Sequence, residues 1–144
     1  MIEKKILLVD DDADDQLFFL DALSEINSHI RCEIANNGHE ALLSLESLPL
    51  PHVVFLDLNM PVMNGFDCLI ELRKREELRA LPVVIFTTTS DLATIKRMYE
   101  MGANAFFKKP NEFSTMRSKL ETVLKTDFLI PIVRPSFSFA QFSL

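Results

Sequence analysis

Five short, nearly unbroken apolar runs, separated by stretches of helical period, constrain this chain more than any other feature. The runs are KILLV (5–9), IRCEIA (30–35), HVVFL (52–56), VVIFT (83–87) and AFFK (105–108). A strand with one wet face alternates apolar and polar residues, whereas a strand covered on both faces reads as a continuous apolar run. Between the runs lie helical stretches. Residues 13–26 carry Leu17, Leu20, Leu23 and Ile26 at helical spacing, and open with carboxylates that suit a helix N-terminus. Asn37 and Gly38 open a second helix with Ala41, Leu42, Leu45 and Leu48 facing in, and residues 66–75 form a third with Phe66, Leu69 and Ile70. Residues 91–101 present Leu92, Ile95 and Tyr99, with Gly102 as the C-terminal cap, and Asn111 caps a last helix bearing Phe113, Met116, Leu120, Val123 and Leu124. Five strand–helix units in a row predict one α/β domain with right-handed crossovers.

Composition agrees and removes several classes. A chain of 144 residues with 48% hydrophobic and 25% charged residues has the balance of a soluble domain with a real core. No apolar run reaches the roughly 18 residues that span a bilayer, and the start MIEKKILLVDDD is not a signal peptide, so a cytoplasmic protein with no membrane partner is expected. The net charge of −6, with no basic run, speaks against nucleic acid. Cys32 and Cys68 match no metal or redox spacing and read as buried free thiols. Five of the 21 acidic residues fall between Asp10 and Asp15, a cluster that asks for an explanation.

In an open parallel sheet, ligands bind outside the carboxyl ends of the strands, where the strand order reverses. The first strand runs into Asp10 and Asp11, the third into Asp57, the fourth into Thr87 and Thr88, and the fifth into Lys108 and Lys109. A flavodoxin-like (βα)5 doubly wound sheet of order 2-1-3-4-5 gathers these residues on one rim. Each alone reads as a turn, cap or surface residue. Together, three carboxylates need a hard cation such as Mg²⁺ to relieve their repulsion. A threonine hydroxyl, a lysine ammonium and a carboxylate nucleophile at Asp57 then complete a phosphoryl-transfer site.

The stretches "ILLVDDD", "VVFLDLNMPVMNGFD", "LPVVIFTTTS" and "GANAFFKKP" resemble the receiver domain of bacterial response regulators over about residues 4–125. That resemblance implies that Asp57 is phosphorylated by a histidine kinase or a phosphotransfer protein. It implies that Asp11 and Asp57 ligate Mg²⁺ directly, with the backbone carbonyl of Asn59, while Asp10 acts through water. Thr87 and Lys109 take switch and charge-neutralising roles, Phe106 stands at the aromatic switch position where many relatives have Tyr, and Lys109–Pro110 is expected to be cis. The output is a protein contact on the face of the fourth helix, fifth strand and fifth helix, including Lys96, Tyr99, Phe106 and Phe113.

The expected organisation is a receiver domain at 1–125 and a Phe-rich extension at 126–144, with no separate effector domain. The expected protein is a self-modifying switch rather than an enzyme with a separate substrate. Two alternatives stand beside it. A phosphorylation-independent pseudo-receiver scaffold usually lacks one of the acids or the lysine, and all are present here. An aspartyl phosphohydrolase typically needs an acid two residues after the nucleophile, where this chain has Asn59. The extension, "TDFLIPIVRPSFSFAQFSL", holds four of the twelve phenylalanines, and a solvated tail is normally poor in aromatics. Pro131 and Pro135 exclude a continuous helix, and Phe137 and Phe139 alternate with Ser136 and Ser138 as in a one-sided strand. The tail therefore folds over its own domain, or docks on a second copy or a kinase by strand addition or Phe anchoring. A homodimer through the tail or through the fourth-helix face is the matching expectation.

Overall fold

The computed structural model describes residues 4–27, 29–126, 128 and 136–144. The elements run β1 (Lys5–Val9), α1 (Ala13–Ile26), β2 (Arg31–Ala35), α2 (Gly38–Ser44), β3 (Val53–Leu56) and α3 (Gly65–Lys74). A 3-10 turn (Glu76–Leu78) leads to β4 (Val83–Thr87), α4 (Leu92–Glu100), β5 (Ala105–Lys108), α5 (Phe113–Lys125) and a short α6 (Phe139–Phe142). The five strands are all parallel, in the order β2-β1-β3-β4-β5. The flavodoxin-like arrangement expected from the sequence is the one observed.

Alternation along the strands splits the core into two layers. Leu7, Val9, Val54, Leu56 and Ile85 pack against Ala41, Leu42, Leu69, Leu72, Ile95 and Met98. Ile6, Leu8, Phe55, Phe86 and Phe107 face the other way, onto Phe19, Leu23, Met116 and Leu120. That second layer is built on edge-to-face aromatic contacts. Phe19 meets Phe55 with centroids 5.0 Å apart, and Phe86 meets Phe107 at 5.1 Å. Fully burying each such ring contributes about 1.5–3 kcal/mol, plus about 0.5–1.5 for the ring pairing.

The helix faces depart from the expected stripes. Leu17, Leu48, Ile70 and Leu92 are exposed; of the expected α1 stripe Leu23 is buried, beside Phe19 and Ala22, which the stripe did not include. In α1 the run Leu17-Phe18-Phe19-Leu20 is apolar at every phase, so spacing alone does not choose the covered side. Leu48 lies beyond the end of α2, which stops before Pro49 and Pro51. Asn111 is not the cap of α5; Glu112 occupies that position without a side-chain capping bond. Gly102 does close α4, with φ of 103°, a backbone conformation that favours glycine. Lys109–Pro110 is not cis; among the described residues the cis bond is Leu48–Pro49. Both cysteines are free, and burial pushes each thiol up to about 12.

The C-terminal segment 136–144 returns to the sheet. Phe139–Phe142 is a helical turn rather than the strand that the Ser/Phe alternation suggested, and only Ser143 bridges to β5, at Phe106. Asp127 and residues 129–135, with Pro131, Arg134 and Pro135, lie outside the described residues.

Candidate functional site

The central strands β1 and β3 deliver the carboxylates to the carboxyl edge of the sheet. The Asp57 N–H donates to the Val9 carbonyl at 3.0 Å, and the Asp10 N–H donates to the Ala35 carbonyl at 3.0 Å. Both residues are therefore held by ladder bonds just past the strand ends, and both are buried, at 7% and 0% exposure. The loop after Asp57 is tied down by Gly65, whose N–H donates to the Leu58 carbonyl at 3.0 Å. A Cβ at Gly65 would strike the Asp57 carbonyl oxygen, so only glycine lets α3 start this close to the site.

One carboxylate oxygen from each of Asp10, Asp11 and Asp57 lies within 4.8 Å of the others. Asp57 Oδ1 accepts the Leu58 N–H at 2.8 Å, and its Oδ2 accepts from Lys109 Nζ at 3.1 Å. Lys109 Nζ also pairs with the buried Asp10 Oδ2 at 2.8 Å. Burial pushes the Asp10 carboxyl above the usual carboxylate range, against the opposing pull of Lys109. Lys109 shows the reverse balance: burial alone would lower it, but Asp10, Asp15 and Asp57 together hold it well above an ordinary lysine.

A tight trio of carboxylates, two of them buried, is a donor set that fits a hard divalent cation. Asn59 stands two residues past Asp57 on the same rim, exposed. Thr87 ends β4 with its hydroxyl buried and without a hydrogen-bond partner. Its backbone carbonyl accepts the Lys109 N–H at 2.8 Å, which couples the ends of β4 and β5. The sequence-predicted residues Asp10, Asp11, Asp57, Thr87 and Lys109 thus lie along one strand-end rim.

Two things were missed. The acidic run now resolves residue by residue. Asp12 is the N-cap of α1 and accepts the N–H groups of Asp14 and Asp15 at 2.9 and 3.0 Å. Asp15 reaches back to Lys109 Nζ at 2.8 Å, a contact that no motif announced. No local signal could have found it, because the contact joins residues 94 positions apart in the chain. Second, Phe113 does not belong to the expected output face; its ring packs on Phe18 of α1 at 5.8 Å.

A doubly wound sheet with an acidic pocket, a buried lysine and a strand-end threonine defines the receiver class of signalling domain. Residues 6–121 match the response regulator receiver domain, and the chain belongs to that family. It is a two-component response regulator by this relationship. The chemotaxis protein CheY1 of Helicobacter pylori is 30% identical over 123 residues, covering 85% of this chain and 98% of its own. A probable methanogenesis regulatory protein, FilR2 of Methanothrix harundinacea, is 30% identical over 123 residues, covering 82% of this chain and 79% of its own. Among solved structures, the Mn²⁺-bound response regulator Rcp1 superposes with a TM-score of 0.78 at 27% identity, covering 89% of this chain and 99% of its own. The phosphorylated cyanobacterial phytochrome response regulator RcpA gives 0.78 at 25%, covering 85% and 91%. No helix among the described residues is long and apolar enough to cross a membrane.

Proposed function

We propose that Asp57 is the phosphoacceptor of this receiver, with Asp10, Asp11, Asp57 and the Asn59 carbonyl as the site of Mg²⁺. One Asp57 carboxylate oxygen attacks the phosphorus of a phosphohistidine, on a histidine kinase or a phosphotransfer protein. The P–N bond breaks with its electron pair going to the imidazole nitrogen, and an acyl phosphate forms on Asp57. The bound cation supplies positive charge that offsets the carboxylates and the transferring phosphoryl oxygens. Lys109 gives up its contact with Asp57 Oδ2 to a phosphoryl oxygen, and Thr87 turns its idle hydroxyl to another. A downstream protein then reads the shift of β4 and β5 on the α4–β5–α5 side. That Rcp1 is described with Mn²⁺ and RcpA as phosphorylated supports the same reading for this pocket.

The observation that carries this reading is the contact of Lys109 Nζ with Asp57 Oδ2 at 3.1 Å, beside two further carboxylates. Incubation with a small phosphodonor and Mg²⁺, followed by intact mass, tests it. The wild-type chain should gain one phosphoryl group, and Asp57→Asn none. Equal labelling of both would move the nucleophile elsewhere.

A further inference from the structure

The edge of β5 carries its own cover. The Leu144 N–H donates to the Phe106 carbonyl at 2.7 Å, and Ser143 pairs with Phe106 in a parallel bridge. Phe142 is buried in the layer that holds Ile95, Met98 and Phe106. Its ring meets Tyr99 at 5.3 Å, while Phe137 meets Tyr99 at 5.4 Å and Phe139 meets Phe106 at 6.3 Å. An exposed sheet edge invites pairing with another chain, and covering it with the chain's own segment prevents that. The covered surface comprises the outer side of β5 and the neighbouring turn of α4.

We propose that segment 136–144 is a built-in occupant of the α4–β5 face, which leaves when Asp57 is phosphorylated and opens the edge to a protein partner. The inference rests on the phosphoacceptor reading above. The coupling runs through two adjacent strand ends. Thr87 is in register with Lys108, and Ile85 with Phe106, so a displacement of Thr87 towards a phosphoryl group passes directly to β5. Phe106 holds the segment twice, by its carbonyl and by its ring, so a shift of β5 disturbs both contacts. The matching partner presents an extended segment with phenylalanine anchors, since that is the chemistry the face already holds. Linkage makes the effect reciprocal: whatever loosens the cap favours the phosphorylated form by the same factor.

The chain has one tyrosine, Tyr99, and no tryptophan, so its near-ultraviolet circular dichroism reads the Tyr99–Phe137–Phe142 contact without a label. The experiment follows that signal and the hydrogen exchange of the Leu144 N–H, with Mg²⁺ and with or without beryllofluoride, at two protein concentrations an order of magnitude apart. The expected result is protection independent of concentration that falls about fivefold or more on beryllofluoride binding. Phe142→Ser should bind beryllofluoride about fivefold or more tightly than wild type. Protection that rises with concentration would place the segment on a second copy and overturn the intramolecular cap. Protection unchanged by beryllofluoride, with equal affinity in Phe142→Ser, would overturn the coupling. Failure of both chains to bind beryllofluoride, with Leu144 still protected, would overturn the phosphoacceptor reading and the coupling while leaving the docked segment in place.

Discussion

Lys109 Nζ stands 2.8 Å from Asp15 Oδ2, a carboxylate that belongs to the first turn of α1 and not to the cluster of Asp10, Asp11 and Asp57. The other two carboxylates beside Lys109 are those that a cation and a phosphoryl group would claim. Asp15 alone stays free to hold the ammonium through the whole cycle, which makes it a positioning residue. Its side chain is 40% exposed, so the pair contributes only roughly 0.5–1 kcal/mol. Asp15→Asn should therefore slow labelling by a small phosphodonor about two- to fivefold, with Mg²⁺ affinity unchanged. Asp14→Asn, on the same turn, should do nothing. Equal rates in all three chains would reduce Asp15 to a helix-end charge.

Thr87 buries a hydroxyl that has no hydrogen-bond partner. An unsatisfied buried polar group costs about 1–3 kcal/mol. Thr87→Val keeps the shape and removes that cost, so its urea midpoint should rise while its response to beryllofluoride is lost. A lowered midpoint would mean that the hydroxyl is satisfied in solution.

Asp10 is costly for a different reason: burial raises its carboxyl, and the pull of Lys109 offsets that only in part. With no metal present, Asp10→Asn should melt at or above the wild-type temperature. Mg²⁺ at a hundred times its dissociation constant should stabilise the wild type by about 2.7 kcal/mol. In Asp10→Asn that increment should shrink markedly. An undiminished increment would locate the cation elsewhere.

Gly65 tests the scaffold under the site. Its missing side chain is what lets α3 begin against the Asp57 carbonyl. Gly65→Ala should cost about 1–3 kcal/mol by denaturant unfolding and also slow phosphorylation, because relief of the clash displaces Asp57. A neutral result would show that the loop has room to spare.

The strands were legible because burial on both faces leaves an unbroken apolar signature, and VVIFT and AFFK begin and end where β4 and β5 do. The rim positions were legible for the same reason, since Asp10, Asp57 and Lys109 follow directly on such runs and Thr87 closes one. Helix phase was harder: Leu17, Ile70 and Leu92 look like core residues, yet only the packing of each helix on the sheet decides which side is covered. The sequence offered a tail folded over its own domain as one of two readings, but the Asp15–Lys109 contact and the seat of Phe142 were out of reach, because both depend on segments far apart in the chain. Nothing local in "SFSFAQFSL" says that its final amide pairs with Phe106.

The central claim is that the phosphoryl group goes onto Asp57, and not onto the other carboxylates beside Lys109. Borohydride reduces an acyl phosphate to the alcohol, which converts a phosphorylated aspartate into homoserine and leaves a free aspartate unchanged. Labelling the full chain with a small phosphodonor and Mg²⁺, reducing it and mapping the peptides would read the modified position directly. The account predicts homoserine at position 57 alone, and none when Mg²⁺ is withheld. Homoserine at position 10 or 11, or label that resists borohydride, would contradict it.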